Sequence, residues 1–349
     1  MSILIAIIML GIIIFLHELG HFLVAKLSGI RVEKFSIGYP PKIVGKKIGE
    51  TEYQIGAVLF GGYVKLAGET EQSKDLEDPR AFLSKPPGTR ILVLFAGPFM
   101  NFLTGFLILV FGFMIYGESK PVFEVPKIGT TVPGMPAHQC GIKPGDLILK
   151  INGDTVKTWN ELADLIHAKL DTEIILTVRR GDSVFNVICK TIARRVRTES
   201  GDTVFGMIGV IWHSKQVKPT PLKALVDAAD ASVRFAGIIV TFIVDLIVGR
   251  GSLHDVGGPI MIAQMAGQSA KQGFWQLMFF MAALSINLAV LNLIPLPILD
   301  GGQIVFTTFE AISRHRVSER LRAIFQQISI FILLMLMIFV TIKDVMNLF

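Results

Sequence analysis

Four stretches of this chain are each long and apolar enough to cross a lipid bilayer: Ser2–Ala25, Ile91–Tyr116, Phe274–Leu299 and Ala323–Ile342. A spanning helix needs about 20 mostly apolar residues, because away from water each backbone N–H and C=O must be bonded inside the segment. Composition agrees. Of 349 residues, 51% are hydrophobic and 18% charged, where a soluble domain carries about a quarter. An ordinary soluble enzyme and a disordered chain are both excluded. The first run has no basic leading stretch and no small-residue cleavage site, so it is expected to be a retained helix rather than a signal peptide. A fifth run, Phe235–Val248, is too short to span and contains Asp245, which suits an interfacial or re-entrant helix.

Charge sets the expected orientation. The net charge is +6, which in so apolar a chain speaks for basic loops of a membrane protein rather than for nucleic-acid binding. Lys26–Arg90 carries 11 Lys/Arg against 8 Asp/Glu, and the loop after the third span carries Arg314, Arg316, Arg320 and Arg322 against Glu310 and Glu319. Both loops are expected on the cytoplasmic side. Four spans place them on the same side, so charge and parity agree, and residues 117–273 are expected outside the cytoplasm. The fold class expected is thus a polytopic α-helical membrane protein: helices over 1–25, 91–116, 274–302 and 323–349, joined by a cytoplasmic loop at 26–90 and another at 303–322. Glu52–Leu66, strand-like around Gly61 and Gly62, is expected to form a β-hairpin at the membrane that could offer an edge to a substrate strand.

Residues 117–200 have the alternation of a small β-rich domain, with Ile174–Val178 and Val184–Ile188 flanking the turn Arg179-Arg180-Gly181-Asp182. The string Pro136–Gly153, followed by a helical Trp159–Leu170, resembles a bacterial PDZ domain. That resemblance implies binding of an extended peptide or a free C-terminus by strand addition. Residues 201–273 are expected to be a linker with interfacial helices. Cys140 and Cys189 are too few for a disulfide framework; they could form one bridge or none.

The chemistry lies at the end of the first span, His17-Glu18-Leu19-Gly20-His21. Residues four apart share a helix face, so His17 and His21 can hold one metal ion, and Glu18 can take a proton from water activated there. Two histidines and a glutamate at membrane depth are costly unless paired or ligated. A catalytic zinc keeps three protein ligands and one open position, and two acids, Asp245 and Asp300, lie in or near apolar runs. Asp300 follows the third span at the end expected to share the side of the histidines, which selects it over Asp245. Around it run Asn287, Asn292, Pro295 and Pro297, then Asp300-Gly301-Gly302. The prolines break a helix where irregular backbone is tolerated only in a lined cavity. The asparagine amides could pair with a substrate backbone or bond between helices. Gly97-Pro98-Phe99-Met100-Asn101 in the second span is a further polar site that either packs helices or lines the cleft.

Together, HExxH, the PDZ-like insert and Asn-x-x-Pro-x-Pro-x-x-Asp-Gly-Gly resemble the site-2 protease family of intramembrane zinc metalloproteases, and most closely its regulator-of-sigma-E protease group. The resemblance covers nearly the whole chain. It implies one zinc on His17, His21 and Asp300, with Glu18 as general base. It implies substrate binding by Asn287, Asn292, Pro295 and Pro297, by the hairpin at Gly61 and Gly62, and at Asn101 of a GPxxN-like motif. It further implies residence in the bacterial inner membrane with the active site towards the cytoplasm. The implied substrate is a single-pass helix, from an anti-sigma factor trimmed by an upstream site-1 protease or from a remnant signal peptide. The chain departs from the fullest pattern in having one PDZ-like domain rather than two. The rival from another class is a membrane scaffold whose PDZ domain anchors partners without proteolysis.

Overall fold

The computed structural model describes residues 1–69, 77–198, 201–251, 256–315 and 317–346. Arg316, counted above in loop charge, lies outside them. The chain divides into two compact units, residues 1–115 with 220–349, and residues 116–219.

In the first unit, α1 (Ser2–Leu27) leads into the long strands β1 (Val32–Ile48) and β2 (Thr51–Leu66), then α2 (Pro87–Tyr116). β1 and β2 form more than a hairpin. Lys42–Ile48 pairs with Thr51–Gly56, while Lys34–Ile37 lies between Glu52–Ile55 and Gly62–Lys65. The two strands bend into four segments, with Gly62–Leu66 outermost and without a strand partner on its far side among the described residues. Buried Ala25, Ile30, Val32, Leu66, Phe82 and Val93 weld the base of this sheet to α1 and α2. The sheet is therefore an extension of the helix core.

The second unit contains β3 (Glu118–Pro121), β4 (Ile128–Thr131), α3 (Pro136–Gln139), β5 (Leu147–Ile151), β6 (Asp154–Thr155), α4 (Trp159–His167), β7 (Glu173–Arg180), β8 (Ser183–Lys190), β9 (Ile192–Thr198), β10 (Gly201–Met207), β11 (Val210–Trp212) and β12 (Ser214–Val217). A four-stranded sheet in the order β6-β5-β7-β8 buries Ile148, Ile151, Ile174, Leu176 and Val178 against Leu162 and Ile166 of α4. The turn predicted at Arg179–Asp182 joins β7 to β8. The strands run past residue 200, where a linker is expected from sequence: β9 pairs with β10, β11 with β4 and β12 with β3. β11 and β12 become strands by pairing with segments some 80 to 100 residues away, a signal that local alternation does not carry. Cys140 and Cys189, the pair left open above, form a disulfide.

The first unit resumes with α5 (Pro221–Ile247), α6 (Pro259–Gln272), α7 (Phe274–Asn292), α8 (Asp300–Ser313) and α9 (Glu319–Met346). The run at 235–248 is the second half of α5, an amphipathic helix whose buried Ala224 and Ala228 pack with α2 and α7. Among the described residues four helices are long and apolar enough to span a membrane: α1, α2, α7 and Arg320–Met346 of α9. The third ends at Asn292 rather than continuing to Leu299. Pro295 and Pro297 lack the N–H a helix requires, and the chain breaks there before restarting at Asp300.

In the second unit, Asp146 is buried and takes a two-pronged contact from Arg180, at 2.7 and 2.8 Å, with a third bond from the Lys143 N–H. Burial resists its ionisation, but the guanidinium and the backbone donor prevail and hold the carboxyl below its usual range. A carboxylate depressed in the folded state stabilises fully above its unfolded pKa, and that contribution is lost as pH falls through the folded value. Residues 116–219 expressed alone should therefore lose thermal stability below about pH 4. Asp146→Asn should lower the midpoint at neutral pH by several degrees and flatten this acid limb, as read by circular-dichroism melts across pH.

Candidate metal centre

The last turns of α1 present His17, Glu18 and His21. α2 crosses them closely because Gly20, between the histidines, has no side chain. A Cβ there would stand 2.3 Å from the Ala96 carbonyl oxygen. The same holds on the facing helix, where a Cβ on Gly97 would fall 2.2 Å from His21 Nε2 and 2.8 Å from His17 Cε1. The two glycines let the imidazoles lie in the interface between α1 and α2.

Asp300 arrives from the other side as the first residue of α8. The glycines after it serve the same purpose. Cβ atoms on Gly301 and Gly302 would meet the carbonyl oxygens of Leu293 and Leu296 at 2.3 and 2.1 Å, so only glycine allows the first turn of α8 to rest on the proline-broken segment. Gln303 fastens that segment by donating from Nε2 to the Pro297 carbonyl at 2.6 Å.

These placements converge. His17 Nε2 lies 3.1 Å from His21 Nε2 and 3.1 Å from Asp300 Oδ2, and His21 Nε2 lies 3.5 Å from Asp300 Oδ1. Tetrahedral zinc with bonds of about 2.0–2.1 Å to nitrogen and oxygen requires donors roughly 3.3 Å apart. The spacing of the two imidazole nitrogens, and of each from its nearer carboxylate oxygen of Asp300, is close to that figure. Two imidazole lone pairs directed at one another are unfavourable unless a cation lies between them, and two imidazoles with a carboxylate are a donor set suited to zinc. Among the described residues no fourth His, Cys, Asp or Glu joins the cluster, which leaves one position open. Asp245, the rival ligand, is outside it.

The ring nitrogens that face away from the cluster report the tautomers. His21 Nδ1 donates to the Val93 carbonyl at 2.8 Å, which turns the Nε2 lone pair inward. His17 Nδ1 faces the side chain of fully buried Asn101 at 3.2 Å, with the amide placed so that its nitrogen makes the contact and its oxygen is left with no partner. Amide nitrogen and oxygen are distinguished by their hydrogen bonds. Rotating this one satisfies the buried oxygen with the Nδ1–H of His17 and frees Nε2 for a metal. Val93, Gly97 and Asn101, four residues apart, thus form one face of α2 that cradles both histidines.

A cavity of about 410 Å³ opens on the cluster. Glu18 lines it without joining the three ligand atoms, and its Cγ lies near Gly62 of the outer β2 segment. Of the other residues singled out in the sequence, Gly61, Gly62 and Asn292 line the cavity, and the Asn292 amide lies 3.5 Å from both ring nitrogens of His17. Asn287, Pro295 and Pro297 are not on its wall. Pro295 and Pro297 shape the segment under Asp300, and Asn101 touches His17 instead of the cavity. Tyr39 and Glu69, on the wall but unmarked in the sequence, carried no motif signal. Neither did Val93, which acts through its backbone oxygen.

The sequence model of peptidase family M50 matches residues 5–336. Proteins with zinc metalloprotease in their names are similar over almost their whole length. One from Clostridium perfringens is 36% identical, covering 99% of this chain and 98% of its own. One from Clostridium acetobutylicum is 34% identical over 99% and 97%. One from Campylobacter jejuni is 33% identical over 97% and 92%. The PDZ domain of an SdrC-like protein from Listeria monocytogenes is 24% identical, with TM-score 0.21, over 25% of this chain and 84% of that one.

The amide orientation can be checked with zinc-competition titrations. Asn101→Leu should weaken zinc binding by about 10- to 100-fold, the usual effect of losing a partner behind a ligand. Asn101→Asp, which can only accept from His17 Nδ1, should hold zinc about as tightly as the native chain. Weak binding by Asn101→Asp would show that the amide donates instead.

Proposed function

The chain belongs to peptidase family M50, and on that premise we propose that it is an intramembrane protease that cuts single-pass membrane proteins in or near their transmembrane helix. It is a zinc metalloprotease of that family, and its four long apolar helices mark it as a membrane protein. The observation that carries the proposal is the meeting of three candidate metal-ligand atoms, a separate carboxylate and a strand edge with no further partner strand among the described residues, all lining one cavity at the end of a long apolar helix.

His17, His21 and Asp300 would hold the zinc, which would supply Lewis acidity towards water and a carbonyl. The protein's residues do the remainder. Glu18 stands in the cavity outside the ligand set, accepts the proton of the attacking water and returns it to the leaving amine. A helical substrate satisfies its own amides and shields its carbonyls, so it must unwind before it can be cut. The outer edge at Gly62–Leu66 receives it as an added strand. Asn292, on the cavity wall beside His17, positions the scissile amide. The irregular backbone before Asp300 closes the other side.

The second unit acts in this reading as a PDZ domain that takes an extended peptide or free C-terminus and admits substrates already trimmed by an upstream protease. Its disulfide suits an oxidising compartment, which supports placing it outside the cytoplasm with the site towards the cytoplasmic face of the inner membrane. Anti-sigma factors and remnant signal peptides are the substrate classes that fit. The scaffold reading is disfavoured because no fourth ligand joins the cluster among the described residues, whereas a structural zinc is closed by four protein ligands.

Purified wild-type protein in lipid should cleave a helical single-pass substrate, lose that activity to a chelator and regain it with zinc. Glu18→Gln should bind zinc normally and cut at least 100-fold more slowly. Wild-type cleavage by Glu18→Gln would refute the proposed general base. Comparing membrane proteomes of wild-type and Glu18→Gln cells should reveal substrates as accumulated single-pass fragments.

A further inference from the structure

A second polar cluster lies in the helix core apart from the metal centre. Arg90 in the first turn of α2 is 5% exposed, and its Nη1 donates to Glu310 Oε2 on α8 at 3.0 Å. The other carboxylate oxygen, Oε1, accepts from Arg322 Nη2 of α9 at 2.7 Å and from the Val317 N–H at 3.3 Å. Burying such charges is costly, and a hydrophobic substitute is often as stable, so stability alone is a weak reason for the cluster.

Its position gives a stronger one. Arg90 is three residues before Val93, seven before Gly97 and eleven before Asn101, so all four share one face of α2. That face holds the two histidines by Val93 and Asn101, and by Arg90 it holds α8. On α8, Asp300 and Glu310 are ten residues, about 15 Å, apart on one rigid helix. Gly301, Gly302 and Gln303 fix where α8 begins; Glu310 fixes where it points.

We propose that the buried Arg90–Glu310 ion pair is the positioning clamp that aligns Asp300 with His17 and His21 before metal arrives. The proposal rests on the reading of those three as the zinc ligands. α2 serves as a ruler, with the histidines referenced to one stretch of it and the carboxylate, through α8, to another. Arg322 bonds the same glutamate from α9, which carries none of the three ligands. It braces Glu310 without setting the distance that matters.

The test uses the full chain purified in detergent, read by zinc-competition titration and by the visible absorption of the cobalt-substituted protein. Asp300→Ala supplies the reference spectrum for loss of the carboxylate. Glu310→Gln is expected to weaken zinc binding about tenfold or more and to shift the cobalt bands towards that reference. Arg322→Gln should stay within about twofold of wild type in affinity and leave the bands in place. Arg90→Gln with Glu310→Gln removes both charges, leaves no bare buried guanidinium on α2 and provides a variant expected to fold. It should also bind several-fold more weakly than wild type, with shifted bands. Wild-type affinity and spectrum in a folded Glu310→Gln or in the double variant would overturn the clamp. So would an equal loss in Arg322→Gln, which would make the cluster a general brace. Failure of the wild-type chain to bind either metal would overturn the ligand reading on which the clamp rests.

Discussion

Two imidazole nitrogens 3.1 Å apart, with a carboxylate at 3.1 and 3.5 Å, make an arrangement that a protein core does not sustain without help. Without a cation, their lone pairs oppose one another in a region poor in water, where polar groups are costly to leave unmatched. Much of the surrounding structure is the support this convergence requires. Gly20 and Gly97 bring α1 and α2 together, the Val93 carbonyl and Asn101 hold the outer ring nitrogens, and Gly301 and Gly302 seat α8 on a broken helix. Each of these residues is small or buried, and none supplies a ligand.

That division explains which parts were legible in the sequence. His17, Glu18 and His21 could be read directly, since helical geometry alone places positions four apart on one face. Asp300 is singled out in the sequence by a counting argument, because the number of spans decides which end of the third helix is expected to share a side with the first. Contacts set by tertiary packing carry no such local sign. Val93 reads in the sequence as an ordinary core residue, and its contact with His21 is made by the backbone oxygen, which no side-chain type announces. Asn101 stands in a recognisable Gly-Pro-x-x-Asn string, but only the packed helices show that it faces His17 rather than the cavity. Asn287 has the same side chain as Asn292 and lies five residues away, which on a helix is a different face.

The strands follow the same rule. Glu52–Leu66 reads as a hairpin with strand-like runs around Gly61-Gly62, whereas both of its runs pair with β1 and not with each other. The four-segment arrangement depends on Lys34–Ile37 pairing on both sides, which no period in the sequence encodes. Likewise β11 and β12 are only a few residues long and acquire their form from β4 and β3, far earlier in the chain. Apolar length, by contrast, is a property of each segment alone, so the spanning helices were visible while the break after Asn292 was placed too late.

The strand edge and the metal centre also depend on each other physically. An unpaired edge beside a membrane is a liability, since it can capture any extended segment. Here residues of the outer segment Gly62–Leu66 line the same cavity as Asn292 and Asp300, so in the proposed reading a chain added to that edge has its backbone carried past the candidate ligand atoms. Gly61 and Gly62 have no side chains to obstruct it, and Tyr39 fills the space a Cβ on Gly61 would take. An edge that lay elsewhere on the sheet would bind strands without bringing a carbonyl to the metal, and a metal centre without an edge would meet only helices, whose carbonyls are already bonded. Placing the two in one cavity is what makes hydrolysis of an unwound membrane segment chemically reasonable.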